Sequence, residues 1–497
     1  MVFVGQKIEG GALRMKPYRT LVFAHLVQDS ALSVGGNNPH GFANLPLARD
    51  GLGRPILRGS TLAGCFIAQA RALFPKLPSA ITLETPTGKG DQKATASAWR
   101  FAHAHLLQMH AQTVFFQHVS IDRRTLAARE NCLFSIEALP EGTSWDFLLE
   151  IAPSDECDFA QLEGMAAEVL ATWSKKGGAR IGRGSRHGYG WAHLEKIAIV
   201  RLDSRHVRLW PNAFATGQRG EALRQFFQDN NIPLLDLDSF LRTTQPVSKQ
   251  APRGYVVFSG TIEVGERADD FGKGYGLDTL SIGGHARLQL QANEFFNRVI
   301  PPIPPSEIHF KKEEEIHFKK EDFDPDFVIT AMPTPGGGLV PYIPAASIRG
   351  VWRAGLERYC QALQEGNAGK ELVEKLFGTT QQAGSLSISD GILDNEDWKL
   401  LWQQQLSIDE FSGGVYGASK FDRLCIAHGR FRWRAEITAA KQQEAEKLAD
   451  PLVKMLQCLG DGHLPLGGGS WRGHGHIRWT LDRDEDSTNT RIIPKTP

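Results

Sequence analysis

The 497-residue sequence offers little for a disulfide framework or a structural zinc site. Its six cysteines, Cys65, Cys132, Cys157, Cys360, Cys425 and Cys458, lie far apart, with no C-x-x-C pair and no cysteine–histidine cluster at ligand spacing. That usage fits a reducing compartment, so a cytoplasmic location is expected. A run of about 18 apolar residues is missing, and MVFVGQKIEGGALRMKP at the start has no sustained apolar core, so neither a membrane span nor a secretory leader is expected. Excess charge is lacking as well. Lys+Arg and Asp+Glu both number 56, which argues against a chain that coats nucleic acid through bulk positive charge. An anionic partner must therefore meet local patches. The chain is too long for one ordinary domain, and two cores are expected.

What the sequence does contain is itself, twice. RPILRGSTLAGCFIAQARALF (54–74) aligns with VPYIPAASIRGVWRAGLERYC (340–360), with Pro55, Ile56, Leu57, Thr61, Leu62 and Gly64 facing Pro341, Tyr342, Ile343, Ser347, Ile348 and Gly350. GSRHGYGW from Gly184 resembles GSWRGHGH from Gly469, and SAWRFAHA (97–104) loosely matches GSLSISDG (384–391). Three landmarks in one order at nearly one offset indicate two divergent copies of a domain. The first spans 1–210, a linker 211–251, and the second 252–480, with an insertion at about 265–323 and a disordered tail over 481–497. The insertion carries PPIPPS and then EIHFKKE twice, at 307–313 and 315–321, and reads as low complexity.

Within the first copy, YRTLVFAHLV is strand-like, and Leu62, Phe66, Ala70 and Leu73 recur at helical spacing behind Gly59, Ser60 and Thr61. FFQHVSI and LFSIEAL flank the charged IDRRTLAARENC, a long hairpin; SWDFLLEIA is a strand, FAQLEGMAAEVLATW a helix, and WAHLEKIAIV a last strand. The order approximates βαββαβ, a ferredoxin-like α+β unit. In the second copy GYVVFSGTIEV begins the unit, a helix runs from Ser347 to Leu363, and the last helix is expected to break at Pro451 and stop at Gly460.

Two features carry chemistry. GGARIGRGSRHGYGW (177–191) combines bare backbone with Arg180, Arg183 and Arg186, which suits a phosphodiester; the same glycines also suit close packing against a neighbouring strand. Its counterpart in the second copy carries Arg472, His474 and His476. Ser60 and Thr61, and Ser347 in the second copy, stand at helix starts where ordinary capping or anion binding would each use a hydroxyl. A hydroxyl-bearing helix start paired with a glycine-rich basic loop, in both halves, suits a polymer of phosphates.

LPLARDGLGRPILRGSTLAG, SIDRRTLAARENCLFSIEALPEGTSWDFLLEI and GGARIGRGSRHGYGWAHLE together resemble the CRISPR-associated RAMP superfamily, specifically the backbone subunits of type III effector complexes. PYIPAASIRGVWRAGLE, LFGTTQQAGSLSISDGIL and LPLGGGSWRGHGHIRW look like a second such domain, as in the fused double subunit of a type III-D variant. The resemblance implies two tandem ferredoxin-like (RRM-like) domains, each gripping guide RNA along its phosphates, with a protruding β-hairpin thumb, Ile121–Asn131 in the first half and Val415–Leu424 in the second. Complementary target RNA and other subunits of the complex are the implied partners. Ser60, Thr61, Arg123, Arg124, Arg180, Arg183, Arg186, His187, Ser347, Arg349, Arg423, Ser470, Arg472 and His474 are the implied RNA contacts. Cutting members place one aspartate before the helix start. Asn44 holds that position in the first half, whereas Asp326, or failing it Asp324, matches in the second, with a divalent metal such as Mg2+ expected at Asp326. His103 and Asp390, at matching places, are expected to be palm or turn residues. Three readings stay open: a guide-RNA-binding subunit that cleaves target RNA, a purely structural RNA-binding subunit, and an autonomous RNA-processing endonuclease.

Overall fold

In a computed structural model, the structure describes residues 18–36, 43–81, 97–108, 113–122, 128–206, 209, 221–249, 254–265, 299–300, 329–333, 339–470 and 474–482. The first half is a sheet of β1 (Arg19–Gln28), β2 (Trp99–Phe101), β5 (Ser144–Ile151) and β6 (Trp191–Leu202), with the hairpin β3 (Val114–Ile121) and β4 (Ala128–Ala138) inserted ahead of β5. Helices α1 (Gly59–Leu73) and α2 (Phe159–Trp173) follow β1 and β5. The strands lie side by side as β2-β5-β1-β6, with the two-residue strand Ala179–Arg180 on the outer edge of β6, all antiparallel. This is the arrangement of a βαββαβ split unit, with the first strand between the third and the last.

The second half repeats it. β7 (Gly254–Val264) lies between β10 (Val415–Ala439) and β11 (Arg478–Leu481), and β8 (Leu386–Ile388) edges β10 where β2 edges β5. Helices α5 (Ala345–Ala362) and α6 (Gly366–Phe377) precede β8. Another helix, α7 (Gln442–Leu459), follows β10. A long hairpin, β9 (Lys399–Ile408) with the start of β10, takes the place of β3–β4. The repeat extends to packing. Phe66 of α1 meets Trp99 and Trp173 edge-on at 5.2 and 5.1 Å. Its counterpart Trp352 meets Trp433 at 4.8 Å in the same T-shaped way.

Three expectations change. The stretch read as a linker is built into the first half: α3 (Glu221–Asp229) and α4 (Leu237–Thr243) pack on it, and Leu223 and Phe227 cover Leu21, Phe23, Val200 and Leu202 on the back of the sheet. With both faces covered, β1 needs an unbroken apolar run rather than alternation. Pro451 does not break α7, because Leu448, Ala449, Leu452, Val453 and Met455 bury one continuous face and outweigh the lost backbone bond. The second hairpin turns at 409–414, so Val415–Leu424 is its outgoing strand. Most of the insertion and of the tail lies outside the described residues, as does the first hairpin's tip, 123–127. Among the described residues no helix is long and apolar enough to cross a membrane.

Candidate functional site

The glycine-rich loop closes on itself in the same way in both halves. Ile181 N–H donates to the Gly190 carbonyl at 2.8 Å, and Leu466 N–H to Gly475 at 2.9 Å. Tyr189 N–H donates to Gly184, and His474 N–H to Gly469, both at 3.2 Å. The supporting glycines are left-handed in register, with φ of 82°, 72° and 69° at Gly182, Gly184 and Gly190 against 89°, 78° and 71° at Gly467, Gly469 and Gly475. Two loops of unlike side chains thus share the same closing hydrogen bonds and the same three left-handed positions, a backbone conformation that favours glycine.

In the first half this loop is also the joint between the halves. His187 bridges Ile388 in the second half, and Tyr189 is buried with Ala31, Phe116, Met332 and Tyr342. Gly188 lets the Asp390 carboxylate and the start of α5 come against its backbone: a Cβ there would fall 2.6 Å from Asp390 Oδ1 and 2.8 Å from Ala345 Cβ. Arg180 donates to Glu436 of the second half, with its guanidinium carbon 3.6 Å above the Trp191 ring. Packing and ion pairing therefore account for Arg180 and several of the glycines. Arg183 and Arg186 remain half-buried and His187 exposed. Desolvation by the surrounding protein, helped by Arg349, His118 and Arg186, pushes the His187 pKa down to about 4. The surface it retains limits the first cause, but the neighbouring cations act in the same direction, so His187 is a neutral donor or acceptor at physiological pH.

The helix starts depart from the expected capping. Arg58 and Pro344 are the N-cap residues of α1 and α5, and neither helix has a side-chain bond from its own cap. Instead His103 Nδ1 accepts from Gly59 N–H at 2.9 Å, and Asp390 Oδ1 accepts from Ala345 N–H at 2.7 Å. His103 and Asp390 thus hold the first helical amide of each half from across the fold. Ser60 and Ser347 are exposed and Thr61 half-buried within the first turn.

Arg349 turns inward. It is 8% exposed, its Nη1 and Nη2 donate to the Leu386 and Phe377 carbonyls at 2.7 and 2.8 Å, and its guanidinium lies 5.3 Å from the Phe377 ring. Desolvation, with Arg186 and Arg353, pushes its pKa down to about 10. Arg349 therefore ties α5 to β8 and to the end of α6. Arg349→Met is expected to lower the second half's stability by about 3–5 kcal/mol, because two buried carbonyls lose charge-assisted partners. Arg349→Lys should recover little of it, since one ammonium lacks the planar fork; chemical denaturation of the three proteins checks this.

Arg423 is buried on β10 opposite Gln403, and Ser470 and His474 are half-buried on the second loop. Arg123, Arg124, Arg472, Asp324 and Asp326 lie outside the described residues. Asn44 is held in place: its N–H donates to Ser135 Oγ at 3.0 Å, and its Oδ1 accepts from Ser135 N–H at 2.9 Å. Buried Glu137 completes that lock, accepting from Leu47 N–H at 2.9 Å and from Arg49. No group of three His, Cys, Asp or Glu side chains able to hold a metal forms among the described residues.

A feature not anticipated from sequence lies on the first hairpin. His118 stacks on Phe134, directly opposite it in the register, at 5.3 Å and 17°, and its Nε2 lies 2.8 Å from the Tyr189 hydroxyl. The alternation of F-F-Q-H against L-F-S-I was its signal, since Phe116, His118, Phe134 and Ile136 fall on one face.

A sequence-family model for the RAMP superfamily matches residues 27–193 and 332–478, more than half of the chain and one match per half. The chain belongs to the RAMP superfamily. Both matches fall on the split units described above, and RAMP membership points to a CRISPR-associated, RNA-binding function. Compared with curated proteins, this RAMP chain matches none.

Proposed function

We propose that this RAMP protein is a guide-RNA-binding backbone subunit of a type III CRISPR effector complex, with both halves on one RNA strand. The supporting observation is the pair of glycine loops with one hydrogen-bond pattern on two sheets of one topology. A repeated site suits a repeating ligand. Arg183, Arg186 and His187 on the first loop and His474 on the second offer sequence-neutral contacts to sugar and phosphate, leaving bases free to pair with a target. The hairpins suit thumbs. The second exposes Leu406, Ile408, Phe411, Val415 and Tyr416 around its turn, with Phe411 92% exposed, an apolar wedge for a stack of bases.

The reading extends to target cleavage in the second half at Asp326, on sequence position and family resemblance. In the first half, Asn44 offers an amide already bonded to Ser135, which favours a non-cleaving site there. In the assembled complex supplied with Mg2+, Asp326→Ala is expected to slow target cleavage opposite the second half by about 100-fold or more while guide RNA is retained. Asp324→Ala serves as the comparison. An unchanged cutting pattern in both variants would leave the purely structural reading. Guide RNA failing to co-purify with the wild-type complex would remove the subunit reading altogether.

A further inference from the structure

The joint between the halves has a counterpart on the first half that the single chain leaves open. On the second half the joint is made at a sheet edge. There β8 lies beside β10, His187 bridges Ile388 in parallel, and Arg180 reaches Glu436, which is 5% exposed and also meets Arg434 at 3.1 Å. Strand register locates the same place on the first half. Ser387 of β8 faces Glu436 of β10, and Arg100 of β2 faces Glu150 of β5, with β2 outermost in its sheet. Among the described residues no further strand or bridge pairs with the outer side of Trp99–Phe101. The charges at the two places differ. Glu436 takes an arginine from across the joint, whereas Glu150 takes Arg19 of its own half at 2.9 Å, from the position that Tyr255 holds in the second half. Arg100 meets the same Glu150 oxygen only at 3.4 Å and keeps 50% of its side chain exposed. An oxygen already bonded to one guanidinium gives little to a second at that distance, so Arg100 is a weakly engaged cation on an open edge strand. A loop arriving here with an arginine, as the first loop does at Glu436, would meet Arg100 and a carboxylate already taken. The second loop brings no charge to that position: counted back from the left-handed glycines, Pro465 stands where Arg180 does. The side chain that complements this edge is a carboxylate.

We infer that the edge of the first half at Arg100 is a docking surface for a different protein subunit, one that brings an acidic side chain to the place where Arg180 enters the second half. This rests on the subunit reading above and adds the sign of charge by which that neighbour is chosen. A second copy of this chain does not fit, because neither glycine loop, 177–191 or 464–476, contains an aspartate or glutamate. Charge at one edge position thus separates the joint inside the chain from the joint at its outer face.

The test uses the full-length chain in the complex assembled with guide RNA. Arg100→Glu is expected to lower recovery of one neighbouring subunit by about 10-fold or more, with guide RNA and the other subunits retained. Arg100→Ser, which copies Ser387 of β8, should give a smaller loss. Arg100→Lys keeps the charge and supplies an amine, so carbodiimide treatment should join it to an aspartate or glutamate of that same subunit, read by mass spectrometry. Where Arg100→Glu raises hydrogen exchange across β2 and β5, the crosslink of Arg100→Lys decides. An unchanged complex with no crosslink, a crosslink to a second copy of this chain, or loss of guide RNA with every subunit retained would each overturn the docking surface while the subunit reading stands. A wild-type chain recovered with neither guide RNA nor another subunit overturns both.

Discussion

Gly190→Ala and Gly475→Ala are expected to destabilise the two halves by similar amounts, about 3–5 kcal/mol each. Both residues are left-handed, with φ of 69° and 71°, which alone costs an L-residue about 1–2 kcal/mol. The rest comes from a collision with backbone: a Cβ at Gly190 would fall 1.9 Å from the Ile181 carbonyl oxygen, and one at Gly475 2.1 Å from that of Leu466. Those carbonyls belong to residues whose own N–H groups close the loops, so relief requires opening the loop. Gly53→Ala isolates the dihedral contribution, because its φ is 77° with no atom within 4 Å of the added methyl. It should cost only about 1–2 kcal/mol. Two halves need not unfold together, so hydrogen exchange resolved by segment is the suitable measurement. Gly190→Ala should also raise exchange around Asp390 and Ala345 across the seam. A Gly475→Ala effect no larger than that of Gly53→Ala would mean the second loop lacks the closure of the first.

The repeat was legible because the residues that carry it are backbone-determined. Left-handed glycines cannot be exchanged for other residues at small cost, so Gly184 and Gly469 keep their register while the side chains between them diverge. Helices and strands with a clear period were legible too: FAQLEGMAAEVLATW is the whole of α2 and GYVVFSGTIEV the whole of β7. The covering of the first sheet by α3 was missed, although RTLVFAHL on β1 lacks the polar alternation of β7 and signals burial on both sides. The roles of Arg180 and Arg349 were not legible. An arginine in a basic loop and one near the start of a helix look like ligands of phosphate. Only tertiary position shows that Glu436 meets the one and two carbonyls meet the other. The capping pair was half visible, since His103 and Asp390 were aligned, but a cap supplied from a distant strand end leaves no local pattern.

Asp390→Asn is expected to remove much of the pH dependence of stability between about pH 4 and pH 8 and to leave the protein more stable than the wild type at the upper end. Asp390 is 6% exposed at the seam, its Oδ1 accepting from Ala345 N–H, with Gly188 against it and Tyr189, Tyr342 and Glu141 as its titratable neighbours. Burial raises its pKa to about 7, opposed by the Ala345 bond and assisted by repulsion from Glu141. Glu141, itself desolvated and near Asp29, is also raised to about 7. Between about pH 4 and pH 7 the folded protein keeps a proton on Asp390 that the unfolded chain has released. The resulting stabilisation is complete below the unfolded pKa and is lost as pH rises through the folded one, a difference of about 4 kcal/mol for three units. An amide cannot ionise, yet its oxygen still accepts from Ala345 N–H. The variant should therefore match the wild type near pH 4, exceed it at pH 8, and retain a shallower slope from Glu141. Asp390→Ala, which lacks the acceptor, should be less stable than Asp390→Asn at both values. Denaturation of the second half followed at pH 4 and pH 8 checks the sign. A loss of stability in Asp390→Asn confined to pH 8 would mean that the ionised carboxylate, held by the amide end of α5, is what joins the two halves.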